Sequence, residues 1–281
     1  MKITFISFYF LNPGVRFLSS YLKAQGHAVN MVFLPPDDMY NSYETYPASV
    51  LQSLKRVCAD SDIVGLSVLT NDFYRAVLVT RFLKENLRSA IIWGGIHATI
   101  DPSSLPKEAD YVYIGEGEAG IAEMVERMTK RTSLDDMPNL GFWRNGEFVQ
   151  NPVRPLMKSS QLSHVQDFDL ERQYIRDHDR IVRVTPSIVE KNLYRDFEDD
   201  APVYLAIFSR GCIHGCTYCC NNKINKLYGF ERNIYRSKPL ESMISELQDI
   251  LRKFPFIKFI YINDDNFLAN TVEFIESFAR E

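Results

Sequence analysis

Within the first 130 residues, five short apolar runs alternate with segments of helical periodicity, and that rhythm leaves few folds open. The runs cover 2–9, 28–33, 62–69, 90–93 and 111–114. Each is rich in Val, Ile and aromatic residues and apolar almost throughout, as in strands of a parallel sheet covered on both faces. Between them, Val15, Leu18 and Leu22 recur at helical spacing before Gly26, which is placed as a C′ stop. Leu51, Leu54 and Cys58 make a second stripe, Phe73, Ala76, Val77, Thr80, Leu83 and Leu87 a third, and Ile121, Val125 and Met128 a fourth. Repeated β–α units predict an α/β domain over 1–130: a doubly wound parallel sheet with its ligand at the carboxyl ends of the strands, beside a topological switch point.

The pattern loosens over 131–201, read as a connector that packs between domains. Inside it, 140–143 and 147–149 flank Asn145-Gly146, a strong signal for a two-residue hairpin turn. Order resumes over 202–281, with strands expected at 203–209 and 257–263 and helices at 240–253 and 271–280.

Several function classes drop out on composition. Acidic residues outnumber basic ones, 36 to 32, for a net charge of −4, so no basic footprint marks a nucleic-acid partner. No window approaches the ~18 apolar residues of a membrane span. Lys2 and the apolar run after it resemble the start of an export signal, but no small-residue cleavage site follows and Asn12-Pro13-Gly14 breaks the run as a strand-to-loop turn would. Of five cysteines, four fall between Cys212 and Cys220. A disulfide framework would spread an even number along the chain, so these point to metal or redox chemistry in a reducing cytoplasm.

Cys212, Cys216 and Cys219 form C-x3-C-x2-C in a loop directly after an apolar strand. Three thiolates so close can hold three irons of a cuboidal iron–sulfur cluster and leave the fourth open for chemistry. Structural zinc wants four ligands and would need His214 or Cys220 as the fourth. Electron-carrying ferredoxins use four cysteines, and the remaining one, Cys58, lies far away on a helical stripe, where it reads as a small buried apolar residue.

This spacing, with Tyr218 just before the last cysteine, resembles the signature of the radical SAM superfamily. The resemblance implies the first part of a (β/α) partial barrel at 202–281, a 4Fe–4S cluster on Cys212, Cys216 and Cys219, and S-adenosylmethionine chelating the open iron. One electron would cleave its sulfonium to methionine and a 5′-deoxyadenosyl radical. Tyr218 matches a position near the adenine in that family; read as a plain residue, its ring pins the loop against the barrel. Asp264, Asp265 and Phe267 match a D-D/E-x-F pattern of cobalamin-linked members, where a carboxylate reaches S-adenosylmethionine or its neighbours. In the plain alternative one of the two aspartates caps the helix near Thr271 or faces solvent.

Gly115-Glu116-Gly117-Glu118-Ala119-Gly120 fits G-x-G-x-x-G, a dinucleotide fingerprint when it follows a first strand. Here it follows the fifth, and its two carboxylates would repel a pyrophosphate. They suit a ligand fringed with amide N–H groups, such as the corrin of cobalamin. Residues 1–130 indeed resemble the cobalamin-binding domain fused ahead of radical SAM barrels. The matching pieces are Asn12-Pro13-Gly14, then Gly65 to Thr70 with Ser67, then Gly94-Gly95-Ile96-His97, then Gly115-Glu116-Gly117. The resemblance implies corrin contacts from Asn12, Ser67, Thr70, Gly94, Gly95, His97, Gly115, Glu116 and Gly117. No His lies between Met1 and Gly26, and His27 begins a strand at the wrong end, so the implied cobalamin is base-off and His-off; His97 alone stands where an imidazole could approach.

Together these imply a cobalamin-dependent radical SAM enzyme acting on a small-molecule substrate and reduced by an electron donor such as flavodoxin or ferredoxin. The leading reaction is methyl transfer to an unactivated carbon. Cyclisation or rearrangement, and a non-catalytic corrinoid-binding module, stay open. Family barrels have about six β–α units against two here, so the chain is expected to be the front of a longer protein.

Overall fold

The alternating apolar runs become strands β1 (Lys2–Ser7), β2 (Ala28–Phe33), β3 (Ile63–Ser67), β4 (Ala90–Gly94) and β5 (Tyr111–Tyr113) of one sheet. The computed structural model describes residues 1–38, 40–41, 43–229 and 234–281. Its two compact units comprise 1–154 with 169–184, and 155–168 with 185–281.

In the first unit β5, β4, β3, β1 and β2 lie side by side and parallel. Because β2 and β3 flank β1 on opposite sides, the chain reverses its direction of travel there, which makes the β1/β3 crevice the switch point. Ile3, Phe5 and Ile6 of β1 are at most 4% exposed, each contributing about 1.5–3 kcal/mol of burial. Helices α1 (Pro13–Ala24), α2 (Ala48–Cys58), α3 (Phe73–Asn86), α4 (Ile96–Ile100) and α5 (Glu118–Lys130) connect the strands. α1 shows how locally this is encoded. Asn12 caps it by accepting from the Val15 N–H, and Pro13 occupies the first turn, where no N–H is needed. At its end Gly26 takes φ 81°, with its N–H on Lys23 O and that of His27 on Leu22 O, a left-handed C-cap. Cys58 is fully buried, and burial pushes its thiol up to about 12, as expected of a core residue.

The segment 131–201 is not a separate connector. β6 (Leu140–Arg144) and β7 (Glu147–Gln150) form the expected hairpin, with Asn145 and Gly146 both at positive φ, and extend the sheet beyond β5. A second hairpin, β8 (Gln173–Asp177) and β9 (Arg180–Arg183), extends the other margin, β8 running parallel to β2. Its strands read QYIRD and RIVR. Their apolar positions are few and their arginines many, which hides them from a search for apolar runs.

The second unit begins with α6 (Pro186–Asn192) and β10 (Tyr194–Arg195), which pairs antiparallel with β11 (Pro202–Ala206). There follow β12 (Ser209–Arg210), α7 (Cys220–Leu227), β13 (Arg236–Ser237), α8 (Leu240–Lys253), β14 (Phe259–Ile262) and α9 (Val272–Arg280). β11 and β14 are parallel neighbours, the opening of a β/α barrel. Its core is partly polar: Lys238 donates to Glu246 at 2.5 Å, Tyr204 gives its hydroxyl to the same carboxylate, and Gln166 donates to Tyr204. The strand expected at 203–209 breaks between Ala206 and Ser209 because Phe208 turns its N–H to Asp264.

Candidate functional site

Around the switch point of the first unit, Asn12 follows β1 and Ser67 ends β3. The Asn12 amide donates to Ser7 Oγ and to Ser67 Oγ, both at 3.0 Å, bridging the crevice. Beside it the Gly94-Gly95 turn crosses the end of β3: Val68 N–H bonds Gly94 O, and His97 N–H bonds Val68 O. Gly95 sits at φ 91°, and a Cβ there would lie 2.9 Å from Val68 N. The neighbouring strand end by itself demands glycine there. Gly94 differs: a Cβ on it would meet nothing within 4 Å, so it presents bare backbone to open space.

His97 is buried, 7% exposed. Ser104 gives its hydroxyl proton to Asp101 O at 2.7 Å and so accepts from His97 Nε2, 2.9 Å away. Nδ1 then accepts from Thr70 Oγ1 at 3.2 Å. Both ring nitrogens are engaged within the protein, and burial lowers the pKa of the ring. An imidazole so held has no lone pair to offer a metal. Thr70, expected at the ligand, is turned to His97.

The glycine turn after β5 is also shaped by packing. Gly115 takes φ 87° and its N–H bonds Thr99 Oγ1 at 3.0 Å. A Cβ on Gly117 would press on Leu18 of α1, and one on Gly120 would overlap the Tyr113 ring at 1.7 Å. These glycines seat α5 against α1 and β5, which accounts for the motif without a dinucleotide. Ser7, Thr99 and Ser104 join the predicted residues here; short hydroxyls after strands carry no signal strong enough to single them out.

In the second unit the cysteine loop runs from β12 to α7. Cys212 is buried, Cys219 half-buried and Cys216 exposed, and all are free thiols. Gly211 starts the loop at φ 82°, with Ile234 O only 2.1 Å from where a Cβ would stand. Asn225 of α7 donates to Cys212 O at 3.0 Å, and Cys219 N–H bonds Cys216 O. Among the described residues no three His, Cys, Asp or Glu side chains gather as ligands of one ion. The donor set, three free thiols on one loop, fits an iron–sulfur cluster.

Asp264 has both oxygens engaged, Oδ1 by Phe208 N–H and Oδ2 by Ser209 Oγ, each at 2.7 Å. Burial raises its pKa against the pull of these bonds. It neither caps the last helix, which Thr271 does, nor faces solvent; it pins the strand end from which the cysteine loop departs. Asp265 is exposed and its charge acts on Cys220, whose thiol is pushed up by burial first and then by Cys219 and Asp265. Tyr218 is 91% exposed, so its ring does not pin the loop.

Comparison with known proteins bears on both units. A family model for the B12 binding domain matches residues 6–125, the span that holds the switch-point turns. That span of the first unit is similar to a B12-binding domain. An uncharacterized methyltransferase of Pyrococcus horikoshii is 28% identical over 215 residues, 75% of this chain and 41% of its own length. An anaerobic magnesium-protoporphyrin IX monomethyl ester cyclase of Synechocystis is 26% identical over 62% of this chain and 32% of its own. The solved radical S-adenosylmethionine methyltransferase TsrM of Kitasatospora setae superposes with TM-score 0.70 at 12% identity, covering 99% of this chain and 50% of TsrM. The cobalamin-dependent S-adenosylmethionine radical enzyme OxsB does so with TM-score 0.66 at 18% identity, covering 97% and 35%. The chain thus spans half or less of the relatives it matches. Its fold is that of the two solved enzymes, a span similar to a B12-binding domain followed by the first part of a β/α barrel, with the cysteine loop after β12. The resemblance to cobalamin-binding radical SAM proteins holds in fold, and its B12-binding part in sequence as well. Among the described residues no helix is long and apolar enough to cross a membrane.

Proposed function

We propose that this chain works as a cobalamin-dependent radical SAM enzyme in the cytoplasm, transferring a methyl group to an unactivated carbon of a small molecule. One observation carries the reading: a C-x3-C-x2-C loop follows β11 and β12 in the same chain as a span similar to a B12-binding domain. When bound, the 4Fe–4S cluster supplies the electron that cleaves S-adenosylmethionine, and cobalamin carries the methyl group.

The chain's own residues divide the remaining work. Cys212, Cys216 and Cys219 hold the cluster, and Asp264 fixes the base of their loop. Asp265, exposed in the loop after β14, would take the amino group of S-adenosylmethionine, and the solvent-facing Tyr218 ring would cover its adenine. Asn12, Ser67, Gly94, Gly115, Glu116 and Gly117 surround the corrin with neutral donors, carbonyls and one carboxylate. His97, engaged at both nitrogens, would not serve as a ligand to cobalt, which accords with a His-off cofactor; a base-off state is proposed with it. Electrons come from a flavodoxin- or ferredoxin-like donor. Cyclisation is the second reading, favoured by the similarity to the Synechocystis cyclase.

Anaerobic reconstitution with iron, sulfide and hydroxocobalamin tests this. About four irons and one corrinoid per chain are expected, with a Co(II) electron paramagnetic resonance spectrum free of nitrogen superhyperfine splitting. Stoichiometric zinc without iron, or tight nicotinamide dinucleotide binding without corrinoid, overturns the reading.

A further inference from the structure

The amino end of the first unit's sheet holds a second cavity that the corrin turns do not use. It has a volume of about 540 Å³ and lies between the end of α2, the start of β1 and the β8–β9 hairpin. Four cations line it, Lys2, Arg56, Arg172 and Arg183, against one carboxylate, Asp60. Lys2 and Asp60 pair with each other at 2.5 Å. Arg56 reaches only a neutral hydroxyl, Ser53 Oγ, and Arg183 a carbonyl, Glu171 O, while lying over the Tyr174 ring. Among the described residues, no carboxylate lies within 4.0 Å of the Arg56, Arg172 or Arg183 guanidinium.

Three guanidinium groups around one cavity repel each other unless an anion joins them. The C-terminal carbonyls of α2 absorb only about half a charge, so a surplus remains. Guanidinium forks match phosphate oxygens two at a time, which sets phosphate ahead of other anions as the ligand chemistry. Tyr174, Val57 and Ile181 supply an aromatic and apolar wall beside the cations, and the volume suits a small molecule. The six residues of β1 put the length of a strand, about 20 Å, between this cavity and the switch-point turns.

We infer that this cavity binds a phosphate-bearing small molecule of nucleotide size, at a site separate from the corrinoid. The β8–β9 hairpin builds it, since Arg183 and Ile181 come from β9 and Tyr174 from β8.

Calorimetric titration of the full chain with ADP, with inorganic pyrophosphate and with tricarballylate provides the test. ADP should bind one to one and pyrophosphate more weakly, with tricarballylate weakest. Arg172→Gln and Arg183→Gln should each weaken ADP about tenfold or more and leave hydroxocobalamin binding unchanged; Arg172 is half-buried and Arg183 exposed, and thermal melting verifies the fold. The proposal is overturned if ADP does not bind, if both variants bind it as the parent does, or if tricarballylate binds as tightly. Displacement of ADP by hydroxocobalamin also overturns it, because the phosphate recognised would then be that of the corrinoid tail.

Discussion

The switch-point turns of the first unit and the cysteine loop of the second sit at the ends of parallel strands, yet they are built differently. In the turns the polar side chains find partners inside the protein: Asn12 bridges two serines, and His97 is held from both sides. In the loop only the base is tied, by Gly211, Asn225 and Asp264, while Cys216 and Tyr218 stand in solvent. The sheet can preform a broad seat for a large ligand out of backbone and hydroxyls. A thiolate loop closes as its metal binds, because ligand binding and ordering are one free energy.

The largest effect that would sharpen this contrast is all-or-none. Cys212→Ala, Cys216→Ala or Cys219→Ala should each abolish cluster iron after anaerobic reconstitution, whereas Cys220→Ala should keep it and all four should retain cobalamin. Loss of corrinoid along with iron would mean that the two sites are not independent.

Next in size is the buried Lys238–Glu246 pair, whose side chains are 5% and 3% exposed. Glu246→Leu strands an ammonium in the core and should cost about 3–5 kcal/mol in urea unfolding. Lys238→Met with Glu246→Leu should recover most of it, since the double change removes both charges. An undiminished loss in the double variant would show that Tyr204 and Gln166 depend on the carboxylate more than the ammonium does.

Backbone strain comes third. Gly211→Ala and Gly95→Ala both force a Cβ into the left-handed region and against a neighbouring backbone, for a loss of about 1–3 kcal/mol each, Gly211 at the upper end. Gly95→Ala should also weaken cobalamin through the shape of the turn, and Gly94→Ala should be tolerated by the fold, which a thermal melt with and without cobalamin separates.

The smallest is a pH effect. Burial holds His97 below 6.5 in the folded chain, so the unfolded chain binds the proton first as pH falls. Stability is complete above about 6.5 and declines as pH drops towards the folded value. The decline ends once the folded ring is protonated as well, which bounds it. His97→Gln should flatten that part of the profile when urea unfolding is followed from neutral to acid pH.

Legibility in the sequence follows the same division. The parallel core is readable because strands covered on both faces must be apolar throughout, and the helix stop at Gly26 because it has a geometric reason. The β8–β9 hairpin is not, since Arg176 lies buried there against Glu44 and Asp37 and charge inside a strand cancels the apolar signal. α7 escapes for a like reason: CNNKINKL carries almost no apolar face. At the sites, spacing identifies the cysteines, but it does not distinguish a carboxylate that touches a ligand from one, like Asp264, that holds backbone. Gly95 reads as a ligand contact in the sequence, which gives no sign of the constraint that the strand next door adds.

The late hairpin has a consequence for how the protein is made. Met31 of β2 pairs with Gln173 of β8, and residues 155–168, which belong to the other unit, leave the ribosome before that partner does. For the time of that synthesis the outer margin of β2 is a bare row of amides and carbonyls, able to capture a strand from any nascent neighbour. The arrival of β8 fills the row, and β9, with Arg180 and Arg183 at its ends, leaves a charged margin in its place.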